Sequence, residues 1–396
     1  MSSTGDGIPF EKAEYARRIA LVKEEMERRE MDTLLISEPS NICYLTGYEA
    51  WSFYVFQVLV VHRDLDEPIW IGRFMDAISV QRMTHLTANA IRPYSDDYVQ
   101  SAERDPVDFL VAQLREVCPT LKAIGVETGA YYYSARTHTK LVSSLPNVRF
   151  LDAELLVNWI RIRKSPAEVA IMREAGAISD AMIKDAVEAA NPAMRECDLA
   201  AVVYNRMIAG TPEYGGVYAS SPPYVLTGTR SAEPHAPWSD RVIGTSTPIN
   251  LETSACRRRY HAPLSRTIFL GSPPDSYIRL ADAVVEGIEA ALEKVKPGVT
   301  CADVERTWQN TIARHGLHKE ARLGYSIGIG FPPTWGERTA SLRSSDQTVL
   351  EAGMAFHMMP GLWLGDVGVT ITQSFVVTES GREDLTTYPR RLVIKQ

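Results

Sequence analysis

The chain has 396 residues, of which 45% are apolar, and a formal net charge of −7. This length exceeds the roughly 100–200 residues of one ordinary domain, so we expect two domains with buried cores. The acidic balance and the lack of a Lys/Arg-rich run argue against a nucleic-acid partner. Five cysteines without a Cys-x-x-Cys pair indicate neither a disulfide framework nor a zinc knuckle. Residues 1–7 have no signal-peptide pattern and no run of about 18 apolar residues occurs, which predicts a cytoplasmic protein without a membrane partner.

The first part of the chain alternates between helical and strand patterns. Apolar residues at a helical spacing predict a helix over 10–29, and the apolar run at 33–36 predicts a short buried strand. Further predicted elements are strands at 53–61, 68–71 and 123–127 and a helix at 106–117. This alternation indicates an α/β domain.

A helix start near residue 165 marks a change in the pattern. Ser165 is a suitable N-cap, Pro166 suits the first helical position, and Glu168 completes a capping box. We place the domain boundary here, with domains at 1–160 and 161–396. The second domain is predicted to contain helices at 166–190, 195–209, 274–296 and 301–316 and strands at 222–227, 247–255, 260–270, 355–363 and 367–378.

The segment 248–271 resembles a two-strand motif, Asp-x-Gly-x4-Gly-Tyr-x-Ser-Asp-x-Thr-Arg-Thr, of the superfamily of aminopeptidase P, prolidase and creatinase. Its register is set by Tyr260, Arg266, Thr267 and Gly271. Members of this superfamily have the pita-bread fold. The resemblance therefore implies an α/β N-terminal creatinase-type domain followed by an α+β pita-bread C-terminal domain.

The same register implies that most of the superfamily's metal ligands are missing. Glu252 stands where the first metal-binding Asp would be, and Pro263 stands where the second would be. Tyr325 replaces a His, Met359 replaces a Glu, and the segment 368–374 has no acid where the last Glu belongs. Paired divalent ions need several charged ligands that converge. We therefore expect no catalytic metal and no other cofactor.

A narrower resemblance points to the ectoine hydrolases, a metal-poor branch of the superfamily. The segments that carry it are 41–55, 97–101, 258–267 and 332–338. One departure is that we expect acidic residues in the final strand of an ectoine hydrolase, where this chain has Thr370 and Gln373.

A site that keeps Glu252 and lacks the other metal ligands suits a substrate that is itself positively charged. A carboxylate can hold an amidinium ring in place, whereas a divalent metal would repel it. His235 resembles the catalytic His of the superfamily, and an imidazole suits proton transfer at neutral pH. The prediction is a metal-independent hydrolase that opens a cyclic amidine, ectoine or hydroxyectoine, to N-acetyl-diaminobutyrate, with His235 as base and acid. A solvated His235 and a salt bridge from Glu252 to one of residues 257–259 are the structural alternatives.

Weaker candidates for contacts with the substrate are Trp51, Tyr54, His261, Tyr325, Trp335, Glu337 and His357. The aromatic pair in the first domain could line a site for a cation, or it could be packing. The two histidines lie on predicted strands and are equally suited to structural roles. Tyr325 could donate a hydrogen bond to a substrate carboxylate or fill the space of a metal, and Glu337 could belong to an exposed ion pair.

Three other functions stay open. A creatinase-like amidinohydrolase would act on another guanidino or osmolyte substrate with the same two catalytic residues. An Xaa-Pro metallopeptidase would need ligands that this sequence lacks, and a non-catalytic binding protein would keep the fold without the reaction. The resemblance also implies a homodimer in which the N-terminal domain of one subunit helps to close the pocket of its neighbour.

Overall fold

The computed structural model describes residues 7–396, which form two compact units. The first unit ends at Arg161 and the second begins at Ile162, one residue from the predicted boundary. The prediction of no signal peptide concerns residues 1–7, of which 1–6 lie outside the described residues. Within 7–396, no helix is both long enough and apolar enough to cross a membrane.

The first unit is built on a mixed sheet whose strand order, over the described residues, is β4-β3-β2-β1-β5-β6. The strands are β1 (Thr33–Ile36), β2 (Val58–His62), β3 (Ile69–Arg73), β4 (Ile91–Tyr94), β5 (Ala123–Val126) and β6 (Arg149–Asp152). The helices are α1 (Lys12–Arg28), α2 (Pro39–Thr46), α3 (Ala77–Met83), α4 (Pro106–Val117), α5 (Ala135–Ser144) and α6 (Leu156–Ile160). Strand β1 pairs antiparallel with β2 and parallel with β5, so the predicted α/β class is confirmed.

Two differences from the prediction in this unit have physical causes. The strand predicted at 53–61 begins only at Val58, because Ser52 hydrogen bonds to both Tyr48 and Gln57, at 2.8 Å each, and holds the preceding residues in a turn. Helix α2 was not predicted because every one of its residues is buried, so its sequence has no polar face to reveal a helical period.

The second unit contains four long helices within residues 162–396. They are α7 (Pro166–Ala189), α8 (Glu196–Ala209), α9 (Asp275–Lys294) and α10 (Cys301–Ala313). The strands that carry the sheet are β7 (Tyr224–Thr227), β8 (Thr247–Arg257), β9 (Tyr260–Leu270), β10 (Gly324–Phe331), β11 (Thr334–Leu342), β12 (Ala355–Met358), β13 (Leu362–Leu364), β14 (Val367–Val369), β15 (Gln373–Val377), β16 (Arg382–Asp384) and β17 (Val393–Lys395). The helices and the sheet bury two apolar clusters, one against α7 and α8 and the other against α9 and α10.

The central feature of this unit is the hairpin formed by β8 and β9, which lies inside the sheet order β16-β15-β12-β10-β9-β8-β7. Strand β11 pairs with β10, β17 pairs with β9, and β13 and β14 form a separate ribbon. The hairpin is continuous in register from Thr247 opposite Leu270 to Arg257 opposite Tyr260. The sequence register that compared 248–271 with a two-strand motif therefore corresponds to a real pair of strands.

In the second unit, two strands were predicted too long and β10 was not predicted, at places where glycine and proline interrupt the pattern. The strand predicted at 355–363 is broken at 359–361, where Pro360 has no N–H for a ladder. The strand predicted at 367–378 is also two strands, β14 and β15. Strand β10 was missed because glycines lower its strand propensity, yet Gly328 is required there: a Cβ would lie 2.3 Å from Glu337 Oε1.

The first helix of the second unit is tied to the hairpin through its N-terminal cap. Ser165 accepts a hydrogen bond from the Glu168 N–H, and the Glu168 carboxylate accepts one from the Ser165 N–H at 2.9 Å. The other oxygen of Glu168 accepts the hydroxyl of Tyr260 at 2.7 Å. The predicted capping box is confirmed, and one carboxylate orients both the helix and β9.

Substitution Ser165→Ala should lower the free energy of unfolding by about 1 kcal/mol, because the Glu168 N–H then loses its acceptor at the helix start. Urea unfolding followed by circular dichroism measures this change. Ser345→Ala is the matched control, since Ser345 is exposed outside the helices and strands. Equal stabilities of the two variants would contradict the role of the cap.

Candidate active site

The hairpin places Glu252 in the middle of β8, between two neighbouring strands. Its cross-strand partners are Ser265 on β9 and Tyr224 on β7. Part of the Glu252 side chain reaches solvent, whereas Thr253 and Leu251 on either side are fully buried. Glu252 is therefore the position on this stretch of β8 from which a carboxylate can meet a ligand.

No hydrogen bond or ion pair of the Glu252 carboxylate is found among residues 7–396. A salt bridge from Glu252 to residues 257–259 was the structural alternative, and two of these arginines have other partners. Arg257 pairs with Glu174 at 2.8 Å, and Arg259 donates to the carbonyls of Gly330 and Tyr218. Burial raises the pKa of Glu252 to about 7, and the positive charge of Lys319 opposes this increase. A buried carboxylate without a partner is costly, so this position favours a cation.

Tyr325 stands at the centre of a hydrogen-bonded chain that connects three strands. Trp335 Nε1 donates to Tyr325 Oη at 2.8 Å, and Tyr325 Oη lies 3.1 Å from His357 Nδ1. His357 Nε2 lies 2.9 Å from Thr372 Oγ1, which also accepts the N–H of Ser265. Burial, together with two nearby arginines, lowers the pKa of His357 to about 3, so its ring is neutral. The structure thus brings three predicted site residues together.

Tyr325 also connects this chain electrostatically to Glu252. Burial raises the pKa of the Tyr325 phenol above its ordinary value, and the negative charge of Glu252 adds to the increase. The same two causes, burial and then Glu252, raise the pKa of Tyr224. Glu252 is therefore flanked by two neutral phenols.

Tyr224 also links Glu252 to His235, and sequence reasoning did not single it out. The ring of His235 lies 5.8 Å from the ring of Tyr224 in an edge-on contact, and Tyr224 is the cross-strand partner of Glu252. His235 itself is exposed. A signal was present in the sequence, because Tyr224 lies within the strand predicted at 222–227, ahead of the His235 loop. Which residue this tyrosine faces depends on strand pairing.

The remaining candidates of the second unit are held by protein groups. His261 is fully buried, with Nδ1 2.9 Å from the Arg259 carbonyl and Nε2 accepting the Ser220 N–H at 3.1 Å; burial holds its pKa well below the ordinary value. Glu337 forms a buried ion pair with Lys164 at 2.6 Å, so the ion pair considered for it is buried and not exposed. A contact of either residue with substrate stays a prediction.

The two candidates of the first unit are exposed aromatic residues. Trp51 is 53% exposed and its ring packs 4.8 Å from that of Phe53. Tyr54 is 62% exposed, and its hydroxyl accepts a hydrogen bond from Arg73 at 3.2 Å. The role of both rings in the site stays a prediction.

A second residue that sequence reasoning missed is Lys319, which precedes β10. Its side chain is 5% exposed, and Nζ donates to the Gly361 carbonyl at 2.6 Å and lies 4.5 Å from the centre of the Trp363 ring. Burial lowers the pKa of Lys319 to about 8, and Glu252 opposes this decrease. A lone Lys in a loop carries no sequence signal of such burial.

Apart from Glu252, the positions that the resemblance compares with metal ligands hold neutral groups. The Pro263 carbonyl accepts the Ser374 hydroxyl at 2.6 Å, and the Gln373 amide donates to Thr386. Across residues 7–396, no group of three or more His, Cys, Asp or Glu side chains could hold a metal ion. One carboxylate, with phenol, thioether and amide side chains at the other compared positions, does not suit paired divalent cations.

Comparison with known proteins agrees with this architecture. Residues 18–163 match the Creatinase/Prolidase N-terminal domain, and residues 170–379 match metallopeptidase family M24. The chain belongs to the M24 family. Its two-domain creatinase-type and pita-bread organisation is therefore established.

Relatives in the M24 family cover nearly the whole chain. An uncharacterised hydrolase/peptidase of Sinorhizobium fredii is 53% identical over 98% of this chain and 99% of its own. The ectoine hydrolase of Halomonas elongata is 42% identical over 98% of this chain and 99% of its own. These relatives support a hydrolase of the M24 family.

Solved structures match the same fold. A prolidase from Thermococcus sibiricus has a TM-score of 0.84 at 20% identity, over 96% of this chain and 99% of its own. The dipeptidase PepE from Mycobacterium ulcerans has a TM-score of 0.81 at 24% identity, over 97% and 99% respectively. At these identities the likeness describes the fold alone.

Glu337→Gln should lower the free energy of unfolding by about 3–5 kcal/mol, because it removes the negative charge of the buried ion pair with Lys164. The control is Glu351→Gln, which removes an exposed ion pair with Arg163 and should cost less than about 1 kcal/mol. Urea unfolding at neutral pH measures both. Similar small losses for the two variants would contradict a stabilising buried pair.

Glu252→Gln should stabilise the fold, with a pH-dependent gain. The pKa of Glu252 is raised from 4.5 to about 7 on folding, so the folded state binds more protons in this interval and wild-type stability falls as pH rises through it. Glutamine removes this loss, and the gain should grow from pH 4.5 to 7 and level off at about 1–3 kcal/mol. Thermal and urea unfolding from pH 4.5 to 8 measure the gain. Glu213→Gln, at an exposed site, should show no such trend, and a pH-independent difference for Glu252→Gln would argue against the raised pKa.

Proposed function

We propose that this M24-family hydrolase opens a small cyclic amidine without a metal ion, and that ectoine or hydroxyectoine is its substrate. The product would be N-acetyl-diaminobutyrate. His235 acts as the general base and then as the general acid, and Glu252 holds the cationic ring. The observation that carries the proposal is Glu252, a carboxylate on the central hairpin with no hydrogen-bond or ion-pair partner among residues 7–396.

The surroundings of Glu252 support an amidinium as its ligand. Two neutral phenols, Tyr224 and Tyr325, lie near the carboxylate, and neither carries a positive charge that would compete with a cationic ligand. An amidinium has N–H donors directed away from its ring, which suit a charge-assisted hydrogen bond to a carboxylate. Its bond to Glu252 would also compensate the cost of burying an ionised Glu252.

The chemistry assigns a proton-transfer role to His235. Water attacks the amidinium carbon while His235 accepts the proton of that water. The C–N bond to one ring nitrogen then breaks, and this nitrogen leaves with the proton from His235. The hydroxyl proton of the intermediate is released as the C=O bond forms, and it completes the ammonium group of the product. The original carbon becomes the carbonyl of an acetamide, so a single histidine returns to its starting state after each cycle.

The position of His235 supports this role. Its exposed ring lies 5.8 Å from that of Tyr224, the cross-strand partner of Glu252, and is therefore accessible to water on the side of the hairpin that holds the carboxylate. The 42% identity with the ectoine hydrolase of Halomonas elongata over both whole chains supports the substrate class. The M24 scaffold itself supports only hydrolysis.

Incubation of the EDTA-treated protein with ectoine should yield acetylated diaminobutyrate, measured by mass spectrometry. Turnover should be the same with and without EDTA. His235→Ala should lower kcat by about 10²–10⁴-fold, since it removes the general base. His315→Ala is the control, because His315 is an exposed histidine whose ring is bonded to Glu286.

Three results would contradict the proposal. Activity that appears only after a divalent metal is added would indicate a metallopeptidase-like site. Hydrolysis of creatine but not of ectoine would indicate a guanidino substrate. Binding of ectoine without turnover, equal in the wild type and His235→Ala, would indicate a binding protein.

A further inference from the structure

The second unit holds a buried positive charge that the proposed reaction does not yet use. Lys319 lies between α10 and β10, with 5% of its side chain exposed. Its Nζ donates to the carbonyl of Gly361 at 2.6 Å. Gly361 ends the Met-Pro-Gly segment at 359–361, in which Met359 takes the place of a metal-binding Glu. A side-chain cation thus contacts a segment that carries a metal ligand in the superfamily.

The hydrogen-bonding capacity of this ammonium is incompletely used. An ammonium carries three N–H donors, and the Gly361 carbonyl accepts one of them. The ring of Trp363, 4.5 Å from Nζ, faces the cation and attracts it. Within residues 7–396 no carboxylate pairs with Lys319, so this largely buried charge lacks the anion that normally compensates it.

The nearby charges define one negative and one positive end of the site. Gly361, which accepts the Lys319 hydrogen bond, lies against Thr370, since a Cβ on Gly361 would be 2.8 Å from Thr370 Cγ2. The Thr370 N–H donates to Thr267 on β9, two residues from the strand partner of Glu252. Lys319 and Glu252 therefore lie in one region of the sheet, and they act on each other electrostatically without forming an ion pair. Two opposite charges that are close enough to interact, but not joined, suit a ligand that carries both complementary charges. A zwitterion that spans them satisfies both groups together.

The other buried cations of this unit are already satisfied by protein groups. Arg266 donates to the carbonyls of Ser265, Thr372, Pro389 and Tyr388. Lys164 pairs with Glu337. Arg322 is only half-buried; it lies 4.4 Å over the Tyr325 ring, and its guanidinium donates to Ser341.

We propose that Lys319 binds the carboxylate of a zwitterionic cyclic amidine while Glu252 holds the amidinium ring. This inference rests on the proposed function and adds to it that the substrate must carry a carboxylate on the ring. Lys319 thereby determines specificity and takes no part in proton transfer. Ectoine, a tetrahydropyrimidine with one ring carboxylate, fits this requirement, whereas the same ring without the carboxylate does not.

The test compares these two ligands in the wild type and in Lys319→Met, by kcat/KM and, independently of turnover, by calorimetric binding. The wild type should prefer ectoine by about 10–100-fold, the ratio that one hydrogen bond to a charged group supplies. Lys319→Met should lose this preference because it binds ectoine more weakly. Its affinity for the ring without the carboxylate should not change. Lys296→Met is the control at an exposed lysine.

The variant is expected to fold, because methionine replaces a buried ammonium by an apolar group of similar length. Its thermal unfolding should match or exceed that of the wild type. Arg322→Met, measured in parallel, should keep the preference for ectoine. Loss of the preference in Arg322→Met instead of Lys319→Met would overturn the assignment.

The outcomes separate this inference from the proposed function. If ectoine binds but is not hydrolysed, the proposed reaction fails, and the ratio of binding constants still decides the role of Lys319. If Lys319→Met lowers activity on both ligands equally, Lys319 acts through Glu252, and the carboxylate assignment is wrong. If neither ligand binds the wild type, both proposals are wrong.

Discussion

The ionisation of Glu252 is the constraint on which the rest of the candidate site depends. The carboxylate lies on the longest hairpin of the second unit, where strand pairing fixes its backbone on both sides. Burial raises its pKa to about 7 because the folded chain removes water without supplying an ion-pair partner among residues 7–396. A fold that keeps such a group retains an unfavourable charge, and a cationic ligand is the direct way to compensate it.

Apart from Glu252, the residues compared with metal ligands are hydrogen-bonded to neutral groups around them. Tyr325 receives the Trp335 N–H and contacts the neutral ring of His357, while the Pro263 carbonyl accepts the Ser374 hydroxyl. Buried polar groups are tolerated when they are hydrogen-bonded. The scaffold is therefore held at these positions by neutral bonds, where several carboxylates would require cations to offset their repulsion.

Glu252 and Lys319 together give the candidate site a negative and a positive end. Each opposes the effect of burial on the pKa of the other, so both charges are partly stabilised before any ligand arrives. The incomplete bonding of the ammonium and of the carboxylate leaves capacity for complementary groups. Under the proposed function, this arrangement would bind a small dipolar molecule.

Much of the fold was predictable from local sequence. Helix α4 occupies the predicted 106–117 and β1 the predicted 33–36, and the capping box of Ser165 and Glu168 formed as expected. These features depend on neighbouring residues in the chain, so composition and spacing suffice to reveal them. Elements without a polar face, such as α2, or with several glycines, such as β10, were missed because their stability comes from packing and pairing.

The candidate site divides in the same way. The sequence by itself determined the family motif and the residue types at the positions compared with metal ligands, because each is a matter of residue identity at a known spacing. Only the tertiary structure decided that Glu337 is paired with Lys164, that Tyr224 lies between His235 and Glu252, and that Lys319 is buried close enough to act on Glu252. These relations join residues that are between 11 and 173 positions apart in the chain. Strand register and the burial of charge bring such residues together, and neither can be deduced from local sequence.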